Sequence, residues 1–336
     1  MENIRGQALV DLLQAVRNTN YTFTTITPLS HATVNARSEN LWAKNSKVVS
    51  DTNHTSEHKI LRDIFGWSRP FHEIHLDPII FQLMQKAGVL KPFEDGWIST
   101  VRISTWQHKA FATQYFMHSA YPTTDADSVF FGPDTYRYLH EINMEMSSRI
   151  TVKRAIDIGA GAGPGAILLG LQYPSADVYA VDINQQALDL TTVNATVANS
   201  KNVQAVYSDL LSGVEGEFDL IIANPPYLVD VGQRAYRHGG GDLGADFSYA
   251  IVESSITRLS PGGSLLLYTG IAINDGVDTF KCRVEAYLQS LGNQYLKWSY
   301  REIDPDIFGE ELANACYAET DRIAAVILKI TNTTTL

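Results

Sequence analysis

From residue 154 onward, short apolar runs alternate with stretches of helical spacing. The extended runs are AIDIG (155–159), DVYAVD (177–182), VQAVYSD (203–209), FDLIIAN (218–224) and SLLLYTG (264–270). Near-continuous apolar strands are expected where a sheet is covered on both faces. Helical patterns fall at 165–173, 185–199 and 249–259, each followed by a Pro-rich, Gly-rich or polar break. A helix near 279–291 and strands near 295–303 and 322–330 complete the series. Strict strand–helix alternation of this kind predicts an α/β fold with a doubly wound, seven-stranded parallel sheet.

The first part of the chain is less regular. Residues 6–16 have helical spacing, 21–30 are Thr-rich and read as extended, and 35–56 read as polar loop. Helical runs at 57–65 and 78–87 are closed by Gly66 and Gly88. Then come VLKPFEDGWIS and TVRIST, extended runs around a Glu-Asp-Gly turn. Helix, helix, hairpin is the order of a winged helix. A turn at YPTTDAD (121–127) leads to a helix expected to be capped by Asp134 and to run to about Arg149. The expected organisation is a smaller mixed, mostly helical docking domain over 1–125 and a catalytic domain over 126–336.

Composition narrows the class. Hydrophobic residues make up 45% of the 336 and charged residues 19%, which suits a protein with a real core and not a disordered one. No run is long and apolar enough to span a membrane. The first residues, MENIRGQALVDLLQAV, read as an amphipathic helix and not as an export signal. With only Cys282 and Cys316, neither a disulfide framework nor a Cys-based zinc site is expected. These features point to the cytoplasm. The net charge of −11 is uneven: residues 1–150 carry 14 Lys and Arg against 15 Asp and Glu, the remainder 12 against 22. No dense basic run appears, which disfavours a nucleic-acid partner.

The candidate chemistry begins at Asp157-Ile158-Gly159-Ala160-Gly161-Ala162-Gly163-Pro164-Gly165, between the first strand and helix of the sheet. Glycines there let the backbone approach a ligand closely, with helix amides behind them. Nicotinamide, flavin and S-adenosylmethionine (SAM) sites all use such a loop. Asp182 ends the second strand, where a carboxylate can take both ribose hydroxyls. Asp209, followed by Leu210, ends the third, where a carboxylate can receive an adenine amino group. Each acid alone is as readily a turn former as a ligand; the two in register with the loop favour the ligand reading.

The fourth strand ends in Asn224-Pro225-Pro226-Tyr227. Two prolines fix the backbone just past a strand end, where ligands bind in open α/β sheets. An Asn oxygen and a backbone carbonyl aimed at one point suit an NH₂ group, holding its hydrogens and leaving nitrogen free to attack. Tyr227 can lie against a planar target or near a cation.

With these motifs the chain resembles the class I SAM-dependent methyltransferases over roughly residues 128–270. The glycine loop, Asp182, Asp209 and the NPPY motif carry the likeness. Within that superfamily it is similar to the HemK/PrmC-type N5-glutamine methyltransferases. Gly132-Pro133-Asp134-Thr135 and Gly240-Gly241-Asp242-Leu243-Gly244 resemble further segments of that group. The resemblance implies a Rossmann-like catalytic domain that uses SAM, yields S-adenosyl-L-homocysteine and needs no metal. It implies a cofactor site of Asp157, Gly159, Gly161, Gly163, Asp182, Asp209, Leu210 and Asn224. Catalysis falls to Asn224, Pro225, Pro226 and Tyr227, and acceptor binding to Tyr136, Tyr227, Arg237 and Asp242. Gly132 stands where the group has Arg, and residues 1–125 are longer and less purely helical than its substrate-binding bundle.

The function expected is methyl transfer to an amide, amine or similar nitrogen of a protein glutamine or small metabolite. The rivals are a methyltransferase acting on an RNA or DNA base, a catalytically silent SAM-binding scaffold and, more distantly, a dehydrogenase. Other signals weigh less. His54/His58 and His72/His75 have ligand-like spacing but no converging partners. The aromatic run at 106–121 reads as core, and Arg234, Tyr236, Arg237 and His238 as either a lid or a solvated cluster.

Overall fold

The computed structural model describes residues 2–42, 57–146, 151–230, 234, 236–241, 243–292 and 294–334. The chain divides into two compact units. One comprises residues 1–124, 129–136 and 192–199; the other comprises 125–128, 137–191 and 200–336.

In the first unit, helix Glu2–Asn18 buries Leu9, Leu12, Leu13 and Val16 along one stripe. Residues 21–27 form neither strand nor helix, against the extended expectation for 21–30. Helix Pro28–Asn35 starts there instead, with the Thr27 side chain accepting from the Ser30 amide and Pro28 in the first turn. Helix Glu57–Leu61 passes into a π turn, Arg62–Gly66, in which the Trp67 amide donates to the Arg62 carbonyl at 2.8 Å. Helix Pro78–Ala87 has its expected bounds. Asp77 accepts from the Ile79 and Ile80 amides at one end, and Gly88 turns left-handed (φ 66°) at the other.

Two hairpins follow, β1 (Leu90–Phe93) with β2 (Gly96–Ser99) and β3 (Val101–His108) with β4 (Phe111–Ser119). β4 lies inside the aromatic run at 106–121. Tyr115 to Ser119 are all buried, so the alternation that marks a half-exposed strand is missing. The next helix, Pro133–Met146, opens at Pro133, so Asp134 is helical and not the cap. The expected end near Arg149, and His54 of the histidine pairs, lie outside the described residues.

The second unit is a sheet with strand order β11–β12–β9–β8–β5–β6–β7. Its strands are β5 (Arg154–Ile158), β6 (Asp177–Asp182), β7 (Val203–Tyr207), β8 (Phe218–Ala223), β9 (Leu259–Asn274), β11 (Leu296–Asp304) and β12 (Arg322–Asn332). A short β10 (Val277–Asp278) pairs with β9. Strands β5 to β9 pair in parallel, while β12 runs antiparallel to both β9 and β11. Ile156, Ile158, Val181, Ile221, Leu265 and Val326 are among the buried side chains of its core. β9 starts at Leu259 and runs through Gly262-Gly263, where the sequence suggests a break, so the helix expected over 249–259 ends at Ile256; it also starts three residues earlier, at Asp246.

The order of connection reverses at β5, which lies between β6 and β8. Crevices at such points, beyond the strands' C-terminal ends, are where open α/β sheets bind ligands. Among the described residues no helix is long and apolar enough to cross a membrane.

Candidate active site

The glycine loop leaves the end of β5 with Gly159, Gly161 and Gly163 all at positive φ, 68°, 57° and 78°. Side chains are strained in that region, so the loop's path requires glycine. A Cβ on Gly159 or Gly161 would meet no atom within 4 Å, so open space faces the backbone there. At Gly163 a Cβ would come within 2.8 Å of Thr191, and the helix Pro164–Gln172 starts immediately after. The Gly159 and Ala160 amides donate to the Val181 carbonyl at 2.9 and 3.0 Å, tying the loop to β6. The Thr191 hydroxyl donates to the Gly161 carbonyl at 2.9 Å.

Asp157 lies beneath this loop, 1% exposed. Its carboxylate accepts from the Tyr138 hydroxyl at 2.7 Å and the Ala166 amide at 2.9 Å. Both oxygens are therefore engaged in fixing the loop and the first turn of the helix. Burial raises its pKa to about 7, although both hydrogen bonds favour the charged form. Asp182, at the end of β6, is half-buried, and its oxygens accept from the Gly161 and Asn184 amides at 2.9 Å each. Burial raises its pKa as well, against the pull of those amides.

The neighbouring strand stops at Tyr207, so Asp209 lies in the turn beyond it and is exposed. The Ser208 amide donates to the Asp182 carbonyl at 3.2 Å, which holds the two strand ends together. Its hydroxyl accepts from the Gly213 amide at 2.8 Å, closing the turn through which Leu210 passes at φ 51°.

Asn224 follows β8 directly, one residue past the Ile158–Ala223 pairing with β5. It is half-buried, Pro225 is buried and Tyr227 is 8% exposed. The Tyr227 ring lies 6.5 Å from that of Tyr268 and 6.0 Å, edge-on, from that of Phe308. A Cβ on Gly270 would collide with it. The chain then folds back on this turn. The Gly239 amide donates to the Leu228 carbonyl at 2.8 Å, and a Cβ on Gly239 would come within 2.7 Å of Tyr227 Cα. The Val229 amide donates to the Tyr317 hydroxyl at 2.9 Å.

Arg237 is engaged rather than free. It pairs with Glu311, and its Nε stands 3.4 Å from Asp230, an ion-pair distance without hydrogen-bond geometry. Asp230 also accepts from Arg234 Nε at 2.9 Å and Nη2 at 2.5 Å, which holds its pKa down to about 2. Asp242 lies outside the described residues. Tyr136 belongs to the first unit, where its hydroxyl accepts from the Thr25 amide at 3.0 Å. The second unit thus brings together the glycine loop, Asp182, Asp209 and the Asn224–Tyr227 turn at adjacent strand ends. Sequence reading missed Tyr138, Thr191, Gly270, Phe308 and Tyr317. Each acts from a distant point in the chain and carries no local signal.

Residues 141–273 match the family profile described as "Methyltransferase small domain". A release factor glutamine methyltransferase from Deinococcus radiodurans is 34% identical over 155 residues, covering 43% of this chain and 55% of that protein. A ribosomal protein uL3 glutamine methyltransferase from Neisseria meningitidis serogroup A is 32% identical over 130 residues, 35% of this chain and 43% of that protein. The chain thus spans about half the length of the curated relatives it matches. A crystal structure of a methyltransferase from Pyrococcus furiosus superposes at a TM-score of 0.39 and 20% identity, covering 58% of this chain and 83% of that one. The likeness to a methyltransferase small domain is thus confined to residues 141–273 of this chain.

Proposed function

We propose that this chain is a SAM-dependent N-methyltransferase acting on the side-chain amide of a protein glutamine in the cytoplasm. The observation that carries the reading is the placement of the Asn224–Tyr227 turn. It stands at the end of β8, one strand from the glycine loop that ends β5. The naming of relatives as glutamine methyltransferases supports it.

The residues fit the cofactor. Open space over Gly159 and Gly161 leaves their backbone approachable, Asp182 presents a half-buried carboxylate, and Asp209 presents an exposed one in the turn beyond the adjacent strand. Gly163 and Leu210 shape the two turns, and Asp157 holds the loop from below. When bound, SAM supplies a methyl group made electrophilic by its sulfonium.

The protein's part is positioning. The Asn224 side-chain oxygen and a carbonyl of the Pro225–Pro226 turn accept the two hydrogens of the acceptor NH₂, directing the nitrogen lone pair. Those acceptors count most as the nitrogen becomes cationic, so they favour the transition state over the bound substrate. Tyr227, seated against Tyr268 and Phe308, makes a rigid wall. Arg237, braced by Asp230 and Glu311, shapes the loop that returns to it.

The test is transfer of labelled methyl from SAM to separated protein, RNA and small-molecule fractions of a cell extract. Label on a glutamine side chain in the protein fraction is expected. Label confined to RNA would overturn the protein acceptor, and label confined to small molecules would replace it with a metabolite.

A further inference from the structure

The first unit contains a cavity of about 510 Å³. Its wall includes the aromatic side chains Phe23, Trp67, Trp106 and Tyr136 together with Arg62. The volume falls in the range of small-ligand pockets, roughly 300–1,000 Å³. All the lining residues belong to the first unit.

Two arginines give this place a positive charge that no carboxylate among the described residues is seen to balance. Arg62 is exposed and makes no ion pair with a carboxylate among the described residues. It opens the π turn Arg62–Gly66, an irregularity found often at functional positions. Arg102, on β3, is 5% exposed. Its guanidinium lies 5.6 Å from the centroid of the Phe23 ring, one of the cavity walls. Nε and Nη2 are buried without a hydrogen-bond partner. A buried guanidinium normally has a carboxylate beside it, because an unpaired charge in the interior is costly.

Here the groups that act on Arg102 are the hydroxyls of Tyr21, Tyr136 and Tyr121, and no carboxylate is among them. The polar side chains around it are neutral. Tyr136 accepts from the Thr25 amide, the Thr25 hydroxyl meets Ser104 at 2.5 Å, and Ser104 meets His118 at 2.7 Å. Burial, with Arg102 itself, holds both His118 and His31 in the uncharged form. The acid nearest Arg62 in sequence, Asp63, is already paired with Lys59 and Arg69. Nothing described in this unit supplies the missing negative charge.

We propose that this cavity is a binding site for a small organic carboxylate with a flat, unsaturated body. The aromatic walls take the flat body, stacking or edge-packing on its faces. The carboxylate faces Arg62, whose planar fork matches its two oxygens, and lies in the field of Arg102. Arg102 is the positioning charge: sealed behind the wall, it favours an anion over a neutral ligand of the same shape.

The experiment is calorimetric titration of the full chain with indole-3-carboxylate, with the isosteric indole-3-carboxamide and inorganic phosphate as comparisons. The carboxylate should bind at least about tenfold more tightly than the amide, as expected when one charge-assisted pair is lost. Arg62→Gln, at an exposed position that does not threaten folding, should bring the two affinities together. Arg102→Met should narrow the ratio further while leaving amide binding unchanged. Equal affinities for acid and amide in the parent chain would overturn the proposal. So would no binding of either, binding of phosphate alone, or an acid-to-amide ratio unchanged by Arg62→Gln. None of these readouts depends on methyl transfer.

Discussion

Asn224 and Asp157 stand at the ends of neighbouring strands and do different work. Asn224 is half-buried just past the end of β8, so Asn224→Ala should leave SAM affinity within a few-fold of the parent. It should slow kcat by about 10²-fold or more, the scale of deleting one preorganised polar group. Asn224→Asp, which still accepts a hydrogen bond, should be milder. Single-turnover kinetics beside a SAM titration separate the two effects, and lost SAM binding with kcat intact at saturation would make the motif a structural turn. Asp157 carries a different signature. Its folded pKa is raised to about 7, above its ordinary value, so the folded state binds the proton more tightly than the unfolded chain. That contribution to stability is present below the ordinary carboxylate range and is lost as pH rises toward 7, by on the order of 1 kcal/mol per pH unit. Asp157→Asn keeps an acceptor for the Ala166 amide and abolishes the titration. Urea unfolding at pH 5 and pH 8 should therefore show the parent losing stability relative to the variant. Parallel behaviour of the two would refute this.

At the scale of elements, Gly270 gives a sharp test. It sits within β9, and its missing side chain is what seats the Tyr227 ring. Gly270→Ala should cost about 1–3 kcal/mol by overpacking and lower kcat by displacing the wall of the acceptor turn. Gly262→Ala, in the same strand with no neighbour within 4 Å, should leave kcat unchanged and bear only the strain of its φ of 78°. If both variants lost activity alike, the Tyr227 contact would not be what matters. The elements also show what the sequence could reveal. β6 and helix Pro78–Ala87 have the bounds expected of them, because strand periodicity and the Asp77 and Gly88 end signals act locally. Helix Pro28–Asn35 was hidden by β-prone threonines, although Thr27-Pro28 is a good helix start. β4 was hidden by burial on both faces, which erases alternation. In the candidate site, the glycine loop, Asp182 and NPPY were legible because each is a short contiguous motif. The Tyr138–Asp157 bond and the Arg237–Glu311 pair join distant positions, and a single sequence has no periodicity to reveal them.

For the whole molecule, the cofactor reading predicts linkage between ligand and stability. SAM at 100 times its dissociation constant should stabilise the chain by about 2.7 kcal/mol, and NAD should not. Thermal unfolding with each nucleotide checks this, and equal shifts would end the methyltransferase reading. A second whole-molecule property lies in helix Gln185–Ala198. Residues 192–199 belong with the first unit although the helix begins in the second. There the Asn194 side chain accepts from the Met117 amide at 2.9 Å and donates to the Met117 carbonyl at 3.0 Å, standing in for a neighbouring strand beside β4. Residues 1–124 are therefore not a detachable cassette. A graft of that segment without the helix would leave the Met117 amide and carbonyl of β4 without their Asn194 partner. Recombination between genes of this kind should preserve the N-terminal segment and that helix together, or lose both.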